Sequence, residues 1–251
     1  MRIHDTIFVG CGGTGGYLAE PLTRLLTFHP KASGRVTFVD GDAYDDGNAT
    51  RQVFAVADLG RNKAEATAER MTLAVPGCDV EAMPSYIDPL GALGLFANHT
   101  IRQQEAGEDA YLLCVTSVDN HATRKSLIQA ADECGLNVIL LSPGNGEDKG
   151  QVMSYVRLAD GSSPQAHPFD RHPEIADPKD TMPGTCAQQA PSTPQLIGAN
   201  MGAALVTLWT VQSWLDGLRL HDLTAFDTRT FAVRGTGNPL TLDGAAESVT
   251  A

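Results

Sequence analysis

The sequence predicts an α/β fold built on a doubly wound, mostly parallel sheet, with a C-terminal helix and β-hairpin added after it. Apolar runs of strand length alternate with helical patterns from the first residues onward. This alternation is typical of a parallel sheet whose helices form the crossovers between strands. A glycine-rich turn also joins the first strand to the first helix, at the edge where doubly wound sheets bind their ligands.

The predicted elements follow one another closely over the first 150 residues. β-branched and aromatic residues mark the strands, and apolar residues at helical spacing mark the helices. Five or six parallel strands are the number expected of a Rossmann-like sheet. We predict strands at 6–10, 35–40, 80–84, 110–115 and 138–142, a further strand at 152–158, and helices at 15–27, 62–73, 90–103 and 120–134.

The chain of 251 residues is 42% apolar, which is enough to bury one large core. Residues 1–150 are predicted to form the Rossmann-like region, and residues 151–251 a C-terminal extension of the same domain. Five prolines mark residues 159–184 as a crossover loop without regular elements. A helix is expected at 194–215, packed on the sheet or at a subunit interface, and a hairpin at 220–234.

The formal net charge of -12 argues against a nucleic-acid partner, because phosphate binding needs clustered Lys and Arg side chains. No membrane span is expected either, since the uncharged stretch 181–215 is opened by prolines and interrupted by Gln and Asn. The five cysteines are an odd number at irregular spacing, and the chain begins with a strand pattern rather than a secretory signal. We therefore expect a cytoplasmic protein with reduced thiols.

The glycine-rich turn, Gly10-Cys11-Gly12-Gly13-Thr14-Gly15, matches G-x-G-x-x-G between a strand and a helix. Glycines at such positions let the backbone approach a phosphate at the helix N-terminus. Asp40 ends the second strand, where a carboxylate can accept ribose hydroxyls. These features are shared with NAD-dependent enzymes, and a tight turn without a ligand is the alternative. The predicted nucleotide-binding residues are Gly10, Gly12, Gly13, Gly15 and Asp40.

Further motifs downstream separate these possibilities. Asp42 completes an acid-x-acid pair, and the pattern continues with Asn48-Ala49-Thr50-Arg51-Gln52, Lys63 and, after the fourth strand, Asp119-Asn120. In order and spacing these motifs resemble the ThiF/MoeB/ubiquitin-activating-enzyme-like adenylyltransferase family from residue 5 to about residue 145. Within that superfamily the chain looks most like the compact ThiF branch of the PRTRC system.

The resemblance implies a homodimeric enzyme that uses ATP to adenylate the C-terminal carboxylate of a ubiquitin-like or sulfur-carrier protein. Attack by a carboxylate on a phosphate brings two anions together, so fixed cations must neutralise the developing charge. Arg51 and Lys63 are the candidates. Mg²⁺ prefers oxygen ligands, and by resemblance Asp119 is the candidate metal ligand; Asp42 either assists it or only starts the loop that follows the second strand. The implied ATP-binding set also includes Asn48, Gln52 and Asn120.

Cys186 closes the Pro-rich loop, where thiol-using relatives of this family carry their acceptor cysteine. It could take the activated acyl group as a thioester. No His, Lys or Arg beside it in the sequence would activate the thiol, so a packing role is the alternative. Packing is also the role expected of the other four cysteines. Many relatives hold a structural zinc ion with two Cys-x-x-Cys pairs; this sequence has none, and no structural zinc is expected.

Two other functions remain open from the sequence. An NAD-dependent oxidoreductase would explain the glycine turn and Asp40 but would leave Arg51, Lys63 and Asp119 without a role. A catalytically silent nucleotide-binding scaffold of an activating heterodimer would need neither cation. Arg51 and Lys63 could also be solvated surface cations, and Asp119 could be only the N-cap of the helix that follows it.

Overall fold

The structure is a computed structural model that describes residues 1–179, 196–218 and 220–236. These residues form eight strands, eight α-helices and two short 3₁₀ helices, Asp46–Asn48 and Val56–Asp58. The strands are β1 Arg2–Val9, β2 Arg35–Val39, β3 Asp79–Met83, β4 Ala110–Thr116, β5 Val138–Asn145, β6 Lys149–Arg157, β7 Leu223–Asp227 and β8 Ala232–Thr236. The helices are α1 Gly13–Phe28, α2 Lys63–Ala74, α3 Pro89–Ala97, α4 Thr100–Ala106, α5 His121–Glu133, α6 Pro168–Arg171, α7 Pro173–Ala176 and α8 Ile197–Leu215.

The eight described strands form one sheet in the order β3-β2-β1-β4-β5-β6-β7-β8. The first five strands in that order run parallel, and β6, β7 and β8 follow at the β5 edge, each antiparallel to the strand before it. Strands β2 and β3 lie on one side of β1, whereas β4 and β5 lie on the other. The doubly wound, mostly parallel fold predicted from the sequence is therefore confirmed. Its switch point lies between β1 and β4.

Two apolar layers cover the sheet, because successive residues of a strand point to opposite faces. Phe8 packs in the layer formed with α1, α2 and α8, whereas its neighbours Ile7 and Val9 pack in the layer formed with α3 and α5. Trp214 and Val211 of α8 are buried in the first layer, so one face of α8 belongs to the core. Each such buried side chain contributes about 1.5–3 kcal/mol relative to exposure.

The single helix predicted at 90–103 is instead two helices, α3 and α4, which break at Asn98 and His99. The break places the buried ring of His99 against β1, where its Nδ1 lies 2.9 Å from Oδ2 of Asp5. Arg102 donates from Nη1 to the same oxygen at 3.2 Å. A fully buried carboxylate requires such partners. Nothing within residues 90–103 indicates that requirement.

The segment predicted as a loop without elements, residues 159–184, contains two single-turn helices, α6 and α7. Each begins with a proline, where the missing N–H removes no helical hydrogen bond. Residues 180–195 lie outside the described part of the chain. Helix α8 begins at Ile197, and strands β7 and β8 form a hairpin at the edge of the sheet. None of the helices in the described residues is long and apolar enough to cross a membrane.

Candidate active site

A cleft at the carboxyl ends of β1, β2 and β4 collects most of the predicted site residues. Its volume is about 600 Å³, which is in the range of small-molecule sites. It lies at the switch point of the sheet, where doubly wound folds bind ligands. Gly15 does not line this cleft, and Cys186 lies outside the described residues. The predicted residues that line it are Gly10, Gly12, Gly13, Asp40, Asp42, Asn48, Arg51, Gln52, Lys63, Asp119 and Asn120.

The glycine turn leaves the N-terminus of α1 facing the cleft. Gly10 has a φ of +91°, and a Cβ at this position would lie 2.6 Å from the carbonyl oxygen of Ser117, so a side chain does not fit there. Gly12 is the N-cap of α1 and offers no side chain to the first helical N–H groups. These N–H groups and the positive end of the helix dipole favour an anion. The turn can therefore receive a phosphate group.

Gly15 has a packing role behind the turn rather than a place in the cleft. A Cβ on Gly15 would lie 2.9 Å from the carbonyl carbon of Gly10, closer still to its oxygen, and 3.1 Å from the ring of Phe8. The first turn of α1 can therefore rest on the end of β1 only if residue 15 has no side chain. Gly15 therefore supports the glycine turn from behind and does not face the cleft.

Asp40 ties the glycine turn to the end of β2. One carboxylate oxygen accepts a hydrogen bond from the backbone N of Cys11 at 2.7 Å, and the other accepts one from the backbone N of Asp42 at 2.9 Å. Burial raises the pKa of Asp40, and these two hydrogen bonds oppose that effect. Each oxygen can accept a second hydrogen bond. Asp40 can therefore accept ribose hydroxyls while it holds the turn.

Lys63 is a buried cation that Asp42 holds at the cleft. Its Nζ lies 3.0 Å from Oδ2 of Asp42, with the Lys63 side chain 7% exposed and that of Asp42 50% exposed. Tyr86 donates from its hydroxyl to the other Asp42 oxygen at 2.6 Å, and this hydrogen bond raises the pKa of Tyr86 to about 12. Burial would raise the pKa of Asp42, but Tyr86 and Lys63 together lower it. Lys63 is therefore not the solvated surface cation of the alternative interpretation.

The Asn-x-x-Arg-Gln motif is a short turn that presents Arg51 and Gln52 to the cleft. Asn48 is buried and donates from Nδ2 to Oδ1 of Asp45 at 2.9 Å. Its carbonyl oxygen accepts hydrogen bonds from the backbone N of Arg51 at 3.1 Å and of Gln52 at 2.9 Å. Asn48 therefore builds the turn. Arg51 and Gln52 follow at the spacing that brings both to the cleft wall.

Asn120, and not Asp119, caps helix α5. The Oδ1 atom of Asn120 accepts a hydrogen bond from the backbone N of Thr123 at 2.8 Å. Asp119 precedes the cap, is exposed and lines the cleft. The N-cap interpretation of Asp119 is therefore wrong, and its carboxylate is exposed at the cleft.

Several polar residues of the site belong to no motif in the sequence. Tyr86 follows β3, and Asn145 ends β5; both line the cleft. Their position at the carboxyl ends of parallel strands is a signal that could have identified them. Asn200 lies on α8 directly behind the glycine turn, and nothing in the sequence indicates its role.

The switch point of this doubly wound sheet combines the N-terminus of α1, a carboxylate that can accept ribose hydroxyls, and two cationic side chains. This combination is typical of a nucleotide-binding protein of the α/β class. The chain belongs to the ThiF family, whose model matches residues 4–239. The resemblance seen in the motifs of the first 145 residues is thereby confirmed, and it extends over the C-terminal helix and hairpin.

Curated relatives match parts of the chain. The tRNA threonylcarbamoyladenosine dehydratase of Haemophilus influenzae is 27% identical over 148 residues, covering 59% of this chain and 50% of that protein. The ATP-dependent ubiquitin transferase-like protein Cap2 of Pseudomonas aeruginosa is 35% identical over 94 residues, covering 37% of this chain and 17% of that protein. The chain thus spans half or less of the length of these relatives.

Solved structures share the fold over nearly the whole chain. The structure of E. coli MccB with ATP superposes with a TM-score of 0.59 and 17% identity. The match covers 92% of this chain and 62% of that chain. The two proteins therefore share the overall fold.

Proposed function

We propose that the protein uses ATP to adenylate a carboxylate, namely the C-terminus of a ubiquitin-like or sulfur-carrier protein. The observation that carries this proposal is that Arg51 and Lys63 line the same cleft as Asp40 and the open N-terminus of α1. An NAD-dependent oxidoreductase would need the glycine turn and Asp40 but no pair of cations. Membership of the ThiF family and the name of the Cap2 relative support the same choice.

The proposed reaction needs positive charge at one place. A carboxylate oxygen attacks the α-phosphorus of ATP, and the bond to the bridging oxygen of pyrophosphate breaks, so negative charge accumulates on the phosphoryl oxygens and the leaving group. The N–H groups at the start of α1, Arg51 and Lys63 would stabilise that charge. Asp42 keeps Lys63 beside the cleft before ATP binds, so this cation is already in place when the phosphates arrive.

The donor set at the cleft also suits Mg²⁺, which takes oxygen ligands and usually one or two protein carboxylates. Both oxygens of Asp42 are engaged by Lys63 and Tyr86, whereas Asp119 offers an exposed carboxylate. Asp119 is therefore the proposed ligand. Bound Mg²⁺ would neutralise part of the phosphate charge.

The proposal is tested by ATP–pyrophosphate exchange with the purified protein, in the presence and absence of candidate ubiquitin-like and sulfur-carrier proteins. Exchange is expected only with a carrier whose C-terminal carboxylate is intact. Binding of ATP without exchange for any carrier would indicate a silent nucleotide-binding scaffold. A larger rise in Tm with NAD than with ATP and Mg²⁺ would favour an oxidoreductase.

A second candidate substrate comes from the relative that is named for a modified adenosine of tRNA. A tRNA substrate would bring a dense array of phosphates to the protein, and binding it requires clustered cations. The formal net charge of -12 therefore makes tRNA a less favoured substrate than a carrier protein. Retention of labelled tRNA by the protein at physiological salt would reverse this order.

We also propose that the activated acyl group passes to Cys186. The thiolate sulfur would attack the acyl carbon of the adenylate, AMP would leave with the electrons of the broken C–O bond, and the thiol proton would go to solvent. Cys186→Ala should then keep carrier-dependent exchange and lose a thiol-sensitive adduct with the carrier. Cys78→Ala and Cys134→Ala should lose neither. A wild-type protein that adenylates the carrier without forming such an adduct would contradict the transfer.

The homodimer is proposed from the outer face of α8. Ile197, Met201, Leu205 and Trp209 recur at every fourth position and are 44–51% exposed. Helix α8 carries no charged side chain, so two copies of this acidic chain could meet there without opposing like charges. Trp209→Glu should convert the dimer to a monomer in analytical ultracentrifugation. Sedimentation of the wild-type protein as a monomer would contradict the proposal.

A further inference from the structure

A buried amide on α8 lies against the glycine turn. Asn200 stands in the first turn of α8 and is 0% exposed. A primary amide has two N–H donors and a carbonyl acceptor, and burying them without partners costs free energy. The partners of Asn200 therefore show which parts of the chain it holds.

The hydrogen bonds of Asn200 reach two other segments of the site. Its Nδ2 donates to the carbonyl oxygen of Arg51 at 3.3 Å, and its Oδ1 accepts from Nδ2 of Asn145 at 3.0 Å. Thr14 in α1 donates from its hydroxyl to Oδ1 of Asn145 at 3.0 Å. This orientation of the Asn200 amide follows from its partner, because the Arg51 carbonyl can only accept.

The same amide also packs directly on the glycine turn. A Cβ on Gly13 would lie 2.7 Å from Nδ2 of Asn200, so the turn and the amide are in close contact. The backbone that carries Arg51 and the start of α1 are thus both held from behind by one side chain of α8. Strand β5 joins them through Asn145.

We propose that Asn200 is a positioning residue for the triphosphate of ATP. It holds the Arg51 backbone and the Gly13 turn at a fixed separation, so that the Arg51 guanidinium and the N–H groups of α1 meet the same phosphates. The inference rests on the proposed use of ATP and adds a residue, outside every family motif found in the sequence, on which phosphate binding depends. Preorganised groups bind an anion better because less order is lost on binding.

The test compares ATP affinity between variants on one helix. Isothermal titration with ATP and Mg²⁺ should show an affinity for Asn200→Ala about tenfold weaker than wild type, as expected when one buried hydrogen-bonding group is removed. Thr207→Val is the matched control, because Thr207 is also fully buried on α8 and, within the described residues, its hydroxyl bonds only to the Ala203 carbonyl of the same helix. It should bind ATP as wild type does. Adenosine, which has no phosphate, should bind Asn200→Ala as tightly as wild type.

A second variant, Asn200→Asp, tests the role of Asn200 through the pH dependence of ATP affinity, which a purely structural role would not change. In Asn200→Asp, the ionised carboxylate would face the Arg51 carbonyl and repel it, whereas the protonated acid can donate as the amide does. Burial favours the neutral acid. ATP affinity of Asn200→Asp should therefore recover towards wild type as the pH falls from about 8 to about 5.5, with no matching change in Thr207→Val.

The outcomes separate this inference from the function on which it rests. If the wild-type protein binds no ATP, the proposed function fails and the inference fails with it. If wild type binds ATP and Asn200→Ala binds it equally well, only the inference is overturned. Equal losses in Asn200→Ala and Thr207→Val, or an ATP affinity of Asn200→Asp that does not change with pH, would also overturn it.

Discussion

Replacing Gly15 by alanine should destabilise the protein and weaken ATP binding, whereas the same change at the adjacent Gly16 should do neither. A Cβ on Gly15 would lie 2.9 Å from the Gly10 carbonyl carbon, and an ordinary contact needs at least 3.4 Å. On Gly16 the nearest atom, the backbone N of Val53, lies 3.5 Å away. Both glycines are inside α1, so helix propensity affects both changes alike.

The size of the effect follows from what the new methyl group meets. At Gly15 it meets backbone, which cannot rotate away, so the cost lies in the upper part of the range of about 1–3 kcal/mol for overpacking. At about 2–4 °C per kcal/mol for a chain of this size, Tm should fall by about 4–12 °C. Gly16→Ala should leave Tm unchanged or raise it, since alanine gains up to about 1 kcal/mol over glycine in a helix.

Calorimetry with and without ATP and Mg²⁺ measures both effects. The Gly15→Ala protein should melt earlier, and ATP should raise its Tm less than that of wild type, because the displaced turn no longer presents its N–H groups to the phosphates. Equal melting of Gly15→Ala and wild type would refute the packing role of Gly15. Equal destabilisation by Gly16→Ala would show that alanine lowers stability anywhere in the first turn of α1, and not through a clash at Gly15.

Three further predictions concern the charges of the site and core. Asp119→Ala and Arg51→Ala should each lower carrier-dependent ATP–pyrophosphate exchange by about a hundredfold or more, with the fold retained. Near-normal exchange by either variant would show that the replaced residue is a solvated surface residue without a catalytic role. Tyr86→Phe should raise the pKa of Asp42, because the lost hydrogen bond stabilises the ionised carboxylate, and a carboxyl NMR titration that shows no change would contradict this. His99→Ala should lower Tm at neutral pH by about 2–12 °C, since a hydrogen bond to a buried charge is worth about 1–3 kcal/mol. Burial would raise the pKa of Asp5, but His99 and Arg102 lower it below its ordinary value of 3.8; this stabilisation is therefore present above pH 3.8 and is lost as the pH falls through the lower, folded pKa. The difference in Tm between wild type and His99→Ala should therefore become smaller as the pH falls through the folded pKa of Asp5. A difference that stays constant would contradict the stabilising interaction between His99 and Asp5.

The parts of the site that the sequence predicts are those carried by neighbours along the chain. The glycine turn, Asp40 and the Asn-x-x-Arg-Gln turn are local motifs, and parallel strands bring their carboxyl ends to one edge. Their convergence therefore follows from the fold class alone. Two assignments needed the backbone geometry: the α5 cap, which is Asn120 and not Asp119, and the place of Gly15 behind the turn rather than in the cleft.

The parts that the sequence does not predict depend on contacts between distant positions. Asn200 bonds to Arg51, 149 positions away, and to Asn145, 55 positions away. The break between α3 and α4 depends on Asp5, 94 positions before His99. No spacing pattern encodes contacts of this kind. The two single-turn helices α6 and α7 are missed for a simpler reason, because a run of prolines also marks an irregular loop.

The pairing of β1 with β4 has a consequence for the order of folding. Arg2 lies opposite Ala110, so the central strand stays unpaired on this side until more than a hundred residues have been synthesised. Closing so long a loop costs chain entropy before its contacts form. Helix α8 comes later still, and with it Asn200 behind the glycine turn. A nascent chain that ends before α8 would contain the residues that line the cleft but would lack Asn200, which packs behind the glycine turn. Under the proposed function, ATP would therefore bind more tightly to a chain in which α8 has docked, and would stabilise that chain more.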